Sequence, residues 1–156
     1  MCTRNYLVVS LVAASMLGAV SVHAADKKLT HAQLPPAVQK GVDEQSQGAT
    51  VSGFSEEREH GKTFYEAEMK VNGHSKDMLF DGDGKVVEIE EEVAMDLLPA
   101  EVKAGLQAKA GSGKIGKVES LTKQGKLVAY EAKVMTNGKR SEIQVGPDGK
   151  PLDHEE

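Results

Sequence analysis

The chain has 156 residues, with 19 basic and 24 acidic side chains and a formal net charge of −5 at neutral pH. It contains three tyrosines, three phenylalanines and no tryptophan. Nucleic-acid binding relies on clustered lysine and arginine and on aromatic stacking platforms, and docking on anionic lipid relies on basic clusters. We therefore expect neither nucleic acid nor a lipid surface to be a partner.

The N-terminus has the order of a secretory signal peptide. Arg4 gives a positive start, residues 6–20 are almost wholly apolar, and small or apolar residues precede a cleavage site after Ala24. The apolar run is shorter than the ~20 residues that a membrane span needs. We therefore expect residues 1–24 to be removed, with no membrane insertion afterwards. The mature chain is predicted to begin at Ala25 and to be periplasmic or secreted.

Five sequence blocks occur twice in the same order, with an offset of 64 or 65 residues. The pairs are Leu34-Pro35-Pro36-Ala37-Val38 with Leu98-Pro99-Ala100-Glu101-Val102, Gly41-Val42 with Gly105-Leu106, Tyr65-Glu66-Ala67 with Tyr130-Glu131-Ala132, Asn72-Gly73 with Asn137-Gly138, and Asp83-Gly84-Lys85 with Asp148-Gly149-Lys150. Ordered self-similarity of this kind is typical of duplication. We predict one repeat over 25–91 and a second over 92–156.

Each predicted repeat opens with a helix at its Leu-Pro pair, because proline suits the first helical turn. In the first repeat Leu34, Val38 and Val42 fall on one helical face at i, i+4 and i+8. The second repeat has the same spacing. Gly48 and Gly111 are predicted to follow the ends of the two helices.

Strands follow each predicted helix. The first extended runs are expected near 50–58 and 115–123. In the next strand, apolar residues such as Tyr65 alternate with charged residues such as Glu66, which indicates one buried and one solvated face. The two Asn-Gly pairs predict type I′ hairpins back to a third strand. Val86 to Ile89 can form a fourth strand, whereas Pro151 makes its counterpart short or absent.

These elements predict an α+β fold of two tandem α-β-β-β(-β) repeats. About 65 residues bury only a marginal core by themselves. We therefore expect both repeats to share one antiparallel sheet, with the two helices packed on one face and a charged face open to solvent.

The repeated motifs resemble the PepSY-like family of small exported bacterial proteins. The shared pattern is a Leu-Pro-x-x-Val helix start, a strand with Tyr-Glu-Ala or a similar triplet, an Asn-Gly-type hairpin and an Asp-x-x-Gly-Lys-type turn. It covers Leu29 to Ile89 and Val93 to Leu152. The resemblance implies an α+β fold related to the propeptides of thermolysin-type peptidases, and similar in plan to the tandem-repeat β-lactamase inhibitory proteins. It implies inhibition or regulation of a peptidase or another enzyme, and it assigns no inhibitory residue.

Asp81-Gly82-Asp83-Gly84 is the segment that most resembles a metal site. A calcium loop needs several converging oxygens, and Asp81, Asp83 and Glu88 could supply some of them. The corresponding segment, Gly146-Pro147-Asp148-Gly149, lacks the first aspartate and keeps the turn. We interpret the motif as a hairpin turn and the acidic run from Glu88 to Glu92 as a solvated linker. Calcium or small-ligand binding at the acidic turns stays the alternative function.

No catalytic or cofactor-binding pattern is recognisable. The only cysteine, Cys2, is predicted to leave with the signal peptide, so neither a disulfide nor thiol chemistry is expected. No histidine pair has metal-ligand spacing, and no serine lies in a nucleophile-elbow context. We expect no enzyme activity, no cofactor and no metal centre.

The charged face of the predicted sheet is the candidate binding surface. Its residues are Phe64, Glu66, Glu68 and Lys70 in the first repeat and Glu131 and Lys133 in the second. An aromatic ring among charges is typical of an interface anchor, although Phe64 at a strand end can also pack on a turn. The first hypothesis is therefore a non-catalytic module that binds a protein, such as an enzyme or an envelope sensor.

Overall fold

The computed structural model describes residues 27–59, 61–154 and 156. The predicted signal peptide and the predicted new N-terminus at Ala25 lie outside these residues. The strands are β1 (Lys27–Leu29), β2 (Thr50–Glu59), β3 (Lys62–Val71), β4 (His74–Phe80), β5 (Val86–Glu92), β6 (Lys114–Lys123), β7 (Lys126–Thr136) and β8 (Lys139–Val145). The helices are α1 (Pro36–Gln45) and α2 (Ala100–Ala110), each preceded by one 3₁₀ turn, His31–Gln33 or Met95–Leu97.

All eight strands form one antiparallel sheet in chain order, from β1 at one edge to β8 at the other. Both helices pack on the same face of the sheet. The strand residues that contact α1 and those that contact α2 point to that face, as the strand pairing shows. In the described part of the chain, no helix is long and apolar enough to cross a membrane. The predicted α+β class with helices on one face is confirmed.

The acidic run between the two halves is a strand and not a linker. Glu88 to Glu92 belong to β5, which pairs with β4 on one side and with β6 on the other. Alternation places Glu91 on the helix face, where its carboxylate lies 2.7 Å from Lys76 Nζ. The linker interpretation was wrong. The alternating Val-Glu-Ile-Glu sequence can form a central strand, because its charged side chains pair with charged side chains on the neighbouring strands.

The helices bury two apolar clusters against the sheet. Val38 and Val42 of α1 pack with Ala67, Met69 and Phe80, and all five are at most a few per cent exposed. The second cluster has the same plan: Leu98, Val102, Leu106, Val118, Ala132, Val134, Ile143 and Val145. The predicted apolar stripes of both helices are therefore core residues.

Each Asp-Gly-Lys turn docks against a helix by backbone contact. A Cβ added to Gly84 would lie 2.1 Å from the carbonyl oxygen of Ala37, and one added to Gly41 would lie 2.3 Å from the carbonyl oxygen of Gly84. The second half repeats this contact. A Cβ added to Gly149 would collide with the carbonyl oxygen of Glu101, and one added to Gly105 would collide with the carbonyl oxygen of Gly149. The same glycines therefore occur in both halves because any larger side chain at these positions would push the turn away from the helix.

The hairpins follow the sequence prediction. Asn72 and Gly73 both have positive φ, at 53° and 89°, and Asn137 and Gly138 repeat this at 51° and 78°. Two consecutive left-handed residues are what a type I′ turn requires. Strand β1 was not predicted, and among the described residues no strand follows β8. The structure describes two similar halves, while their origin by duplication stays a prediction.

Candidate functional site

The sheet face opposite the helices, called here the open face, carries the predicted binding residues. Tyr65, Ala67 and Met69 point toward α1, so the alternate residues Glu66 and Glu68 point away from it. The same alternation places the other predicted residues there: Phe64, Lys70, Glu131 and Lys133. Sequence alternation therefore assigned the correct face to these residues.

The centre of the open face is buried, which corrects the expectation of a fully solvated surface. Glu119 is 2% exposed, Leu121 is 1% exposed and Ala129 is fully buried. Leu121 and Ala129 lie opposite each other in the β6–β7 ladder, on the face away from α2. Glu119 is therefore shielded from solvent, while Asp77 and Glu90 beside it are half-buried, so charges there are screened less than on an exposed surface.

Three carboxylates, called here the acidic cluster, meet in this centre. Asp77 on β4, Glu90 on β5 and Glu119 on β6 each bring one carboxylate oxygen within 4.8 Å of the others. Lys117 forms an ion pair with Glu119 and donates a hydrogen bond to Ser75 Oγ at 3.1 Å. One ammonium group therefore faces three carboxylates.

The acidic cluster has perturbed pKa values. Burial raises the pKa of Glu90 to about 8, and the nearby carboxylates add to this effect. Burial and neighbouring carboxylates likewise raise the pKa of Asp77 to about 6. For Lys117, burial opposes the charge, but the hydrogen bond and charge of Glu119 outweigh it and hold the pKa above its usual range. At neutral pH the cluster therefore keeps a proton, largely on Glu90.

The acidic cluster combines three carboxylates with one ammonium group that is already paired with Glu119. Carboxylate oxygens are ligands for hard cations, but the ammonium of Lys117 already occupies one side of Glu119. An acid–base catalyst needs a substrate pocket beside it, and two depressions on the described surface lie elsewhere, next to Phe64 and next to Met135. The geometry fits a partially protonated patch that a cationic group can approach.

The predicted anchor Phe64 is half-buried and does not stand free on the face. It lines a shallow depression with Thr63, Asp81, Asp83 and Val87. The ring therefore lies beside the turn between β4 and β5, as in the second interpretation of this residue. Part of its apolar surface is covered by the chain itself, which limits the area left for a partner.

The other predicted residues have partners within the face. Ser55 Oγ donates to Glu66 Oε2 at 2.7 Å, and Glu68 forms an ion pair with Lys28. Lys133 Nζ lies 3.7 Å from Glu142 Oε1. Gln144 Nε2 donates to Glu131 Oε2 at 2.9 Å, and burial raises the pKa of Glu131. Lys70 is exposed. The structure thus distributes these residues over a wide surface and does not gather them into one pocket.

The chain also folds back onto the open face near its C-terminus. The backbone N–H of Glu156 donates to Gln144 Oε1 at 2.8 Å, and the Glu156 carboxylate lies 3.9 Å from Lys123 Nζ. Because Gln144 belongs to β8 and Lys123 to β6, this contact spans β7. The sequence analysis did not anticipate it, since the segment after Pro151 has no periodicity.

The sequence analysis also missed the acidic cluster itself. Glu90 was assigned to a linker, and Asp77, Lys117 and Glu119 were not singled out. Strand alternation extended from β3 through all later strands would have placed them on the open face. Their proximity depends on the register of three strands, β4, β5 and β6, which a single sequence does not specify.

The turn at Asp81 has a structural explanation. Its Oδ1 accepts hydrogen bonds from the backbone N–H groups of Asp83 and Lys85, both at 3.0 Å. In the second turn Asp148, the counterpart of Asp83, accepts at its Oδ1 from the N–H of Lys150 at 3.1 Å. Side-chain acceptance of this kind closes a turn without a metal.

We predict that Asp83→Asn leaves the melting temperature within about 2 °C of the parent, in both EDTA and millimolar calcium. The reason is that the Asp83 side chain closes none of the turn hydrogen bonds described above. Asp81→Ala is the comparison variant and should lower stability by about 1 kcal/mol in both buffers. Scanning calorimetry measures this. A calcium-dependent rise in melting temperature that Asp83→Asn abolishes would show that the turn is a calcium site.

Comparison with known proteins shows the fold. No family model and no curated protein matches the sequence. A protein from Bacteroides eggerthii, described as a predicted periplasmic protein, is similar over 76% of this chain and 85% of its own, at 20% identity and a TM-score of 0.60. A DUF2874 family protein from Bacteroides ovatus aligns over 76% and 84% at 19% identity and a TM-score of 0.57. A BLIP-like protein from Bacteroides fragilis aligns over 74% and 81% at 19% identity and a TM-score of 0.53. At these identities the likeness concerns architecture, and the chain has the fold of these BLIP-like and DUF2874 structures.

Proposed function

We propose that this protein is an exported, non-catalytic binding module that engages another protein through its open face. The observation that carries the proposal is the dominance of carboxylates on that face. They are Glu66, Glu68, Asp77, Glu88, Glu90, Glu119, Glu131 and Glu142, of which Glu68, Glu88, Glu119 and Glu142 pair with lysines on the same face. A stable sheet does not need so many acids on one side, because like charges facing each other across strands are unfavourable.

The partner proposed for this face is a protein surface that presents lysine or arginine. A cationic side chain placed near Glu90 and Asp77 would favour their ionised forms and release the stored proton. Complementary charge raises the rate of association and selects among partners. Leu79 lies between Glu66 and Glu88 in the ladder and adds apolar surface to the same area.

Inhibition or regulation of an enzyme is the proposed consequence of that binding. The PepSY-like resemblance supports a peptidase as the target. The similarity of the predicted fold to that of β-lactamase inhibitory proteins supports an enzyme as the partner of the open face. An envelope sensor is an equally suitable partner for a charged face. The absence of a catalytic pattern in the sequence supports a role without chemistry of its own.

The proposed location is the periplasm. The predicted signal peptide supports export, and the structures with the same fold include a protein described as periplasmic. Cleavage of the signal peptide on export would also remove Cys2. The mature protein would then have no cysteine to form a disulfide, and its stability would rest on the two apolar clusters.

We interpret the two halves of the chain as tandem copies of one unit, with a boundary near residue 91. Support comes from the paired docking glycines, Gly41 with Gly84 and Gly105 with Gly149. The two apolar clusters also use equivalent helix positions. Duplication would explain how one sheet acquired an acidic centre, because the junction brings β5 against β6.

The test is a charge reversal on the open face. Glu66→Lys combined with Glu68→Lys should weaken binding of a partner, isolated from a periplasmic extract and then purified, by about tenfold or more. The matched control reverses Glu91 and Glu101, which lie on β5 toward the helices and on α2, so that the change in net charge is equal. Surface plasmon resonance measures both variants. Equal affinity of the open-face variant and the parent would contradict the proposal.

Phe64→Ala is a separate arm of this test. If the ring is an anchor, affinity falls while the melting temperature stays near that of the parent. If the ring only packs on the turn beside Asp81, the melting temperature falls and affinity is retained. The half-buried position favours the second result.

A further inference from the structure

Strand β8 leaves part of its outer edge open. Lys109 Nζ donates to the carbonyl oxygen of Gln144 at 3.0 Å, so that carbonyl points away from β7. In an extended strand the N–H and C=O of one residue point to the same side, and alternate residues share that side. The backbone groups of Arg140 and Glu142 therefore also point outward. In the described chain β8 is an edge strand, and no strand pairs with these groups.

The open stretch of the edge adjoins a shallow basic groove, called here the basic corner. Its charged and large apolar side chains are Lys114, Lys133, Met135, Arg140 and Glu142, of which Glu142 pairs with Lys133. Among the described residues, neither Lys114 nor Arg140 forms an ion pair. Met135 is 39% exposed, which is high for a large apolar side chain in this protein. Although the protein is acidic overall, Lys114 and Arg140 place positive charge without an ion pair, and Met135 places apolar surface, close to the open edge of β8.

We propose that β8 binds an extended acidic segment of a partner protein as a ninth strand along Lys139–Glu142. The outward N–H and C=O groups of Arg140 and Glu142 would form the ladder. An acidic side chain of the segment would face Arg140 across the new ladder, and Lys133, Lys139 and Lys114 would add longer-range attraction. Strand addition at a sheet edge is a recurring mode of peptide recognition.

Charge decides this occupant. Lys139 and Arg140 on the edge repel a cationic strand, and lysines on edges ordinarily prevent edge-to-edge pairing. An acidic strand removes that repulsion and gains attraction. The segment is short because Lys109 covers the edge at Gln144, so two residues of β8, Arg140 and Glu142, keep outward backbone groups available.

This inference concerns the sheet edge, and its test needs no knowledge of the partner that binds the open face. The probe is a blocked pentapeptide with glutamate at alternate positions separated by valine, added to the ¹⁵N-labelled protein. We expect chemical-shift changes confined to β8 and the basic corner, with saturable binding. The same peptide with lysine in place of glutamate is the control and should not bind.

Two substitutions at one position separate backbone pairing from side-chain effects. Glu142→Pro removes the outward N–H and leaves the inward ladder with β7 intact, because proline is tolerated at edge positions whose N–H faces solvent. It should weaken peptide binding about tenfold or more. Glu142→Ala keeps the N–H and releases Lys133 from its ion pair, so binding should be unchanged or tighter. Melting curves and amide spectra verify that both variants fold.

Arg140→Glu should also abolish binding, because it replaces attraction with repulsion at the same site. Equal binding by Glu142→Pro and Glu142→Ala would overturn strand addition. Shift changes centred on β1 or on the helices would overturn the location. If the protein instead self-associates through β8, as shown by sedimentation of the parent but not of Glu142→Pro, the occupant is a second copy and the proposal is wrong.

Discussion

Replacing Lys117 with methionine is expected to lower the free energy of unfolding at neutral pH by about 2–4 kcal/mol. Removing one member of a buried ion pair leaves the other charge uncompensated, which costs about 3–5 kcal/mol when both are fully buried. Glu119 is 2% exposed, whereas the Lys117 side chain is 28% exposed, so we expect a loss around the lower end of that range. Asp77 and Glu90 would lose the same cation.

Urea unfolding at constant pH measures this effect. Lys76→Met is the matched control, because Lys76 pairs with the half-exposed carboxylate of Glu91 on the other face. That pair should contribute less than about 1 kcal/mol. The double variant Lys117→Met with Glu119→Gln should recover part of the loss, since it removes the stranded charge. A loss no larger than that of the control would show that the acidic cluster does not depend on Lys117.

The second large effect is a pH dependence that Glu90 controls. Its pKa rises from 4.5 in the unfolded chain to about 8 in the folded protein. Between these values the folded state binds more protons than the unfolded state, so stability falls as pH rises. Each pKa unit corresponds to about 1.4 kcal/mol, and the total fall is of the order of a few kcal/mol. Asp77 adds a smaller decline up to about pH 6.

Glu90→Gln should therefore stabilise the protein near pH 8 and change little near pH 5, where folded Glu90 is already neutral. The neutral amide keeps the shape of the carboxylic acid without its charge. Thermal unfolding across this pH range, with Glu91→Gln as control on the same strand, measures the difference. Parallel stability curves for the Glu90→Gln variant and the parent would mean that Glu90 is ionised at neutral pH without cost.

The two predictions distinguish different properties of the acidic cluster. The Lys117→Met variant tests whether the acidic cluster needs its ammonium group for stability. The Glu90→Gln variant tests whether Glu90 is protonated at neutral pH. Both results also bear on the proposed function. A cluster that is protonated at neutral pH and ionises when a lysine or arginine approaches would give binding that strengthens as pH rises.

The sequence alone was sufficient for local structure. The Leu-Pro pairs and the stripe beginning at Leu34 predicted both helices, because their 3.6-residue periodicity depends only on neighbours along the chain. The Asn-Gly pairs predicted their turns, since asparagine and glycine accept positive φ. Alternation from Tyr65 onward correctly separated the helix face from the open face, because successive strand residues point to opposite sides.

The tertiary structure decided what those faces contain. Asp77, Glu90 and Glu119 are neighbours only because β4, β5 and β6 pair in one register, and no local pattern specifies a register between strands. The same pairing turned a predicted acidic linker into the central strand β5. Leu121 and Ala129 lie opposite each other only because β6 and β7 pair in this register. Periodicity thus determined the direction of each side chain, while the environment that sets its charge followed from contacts between distant strands.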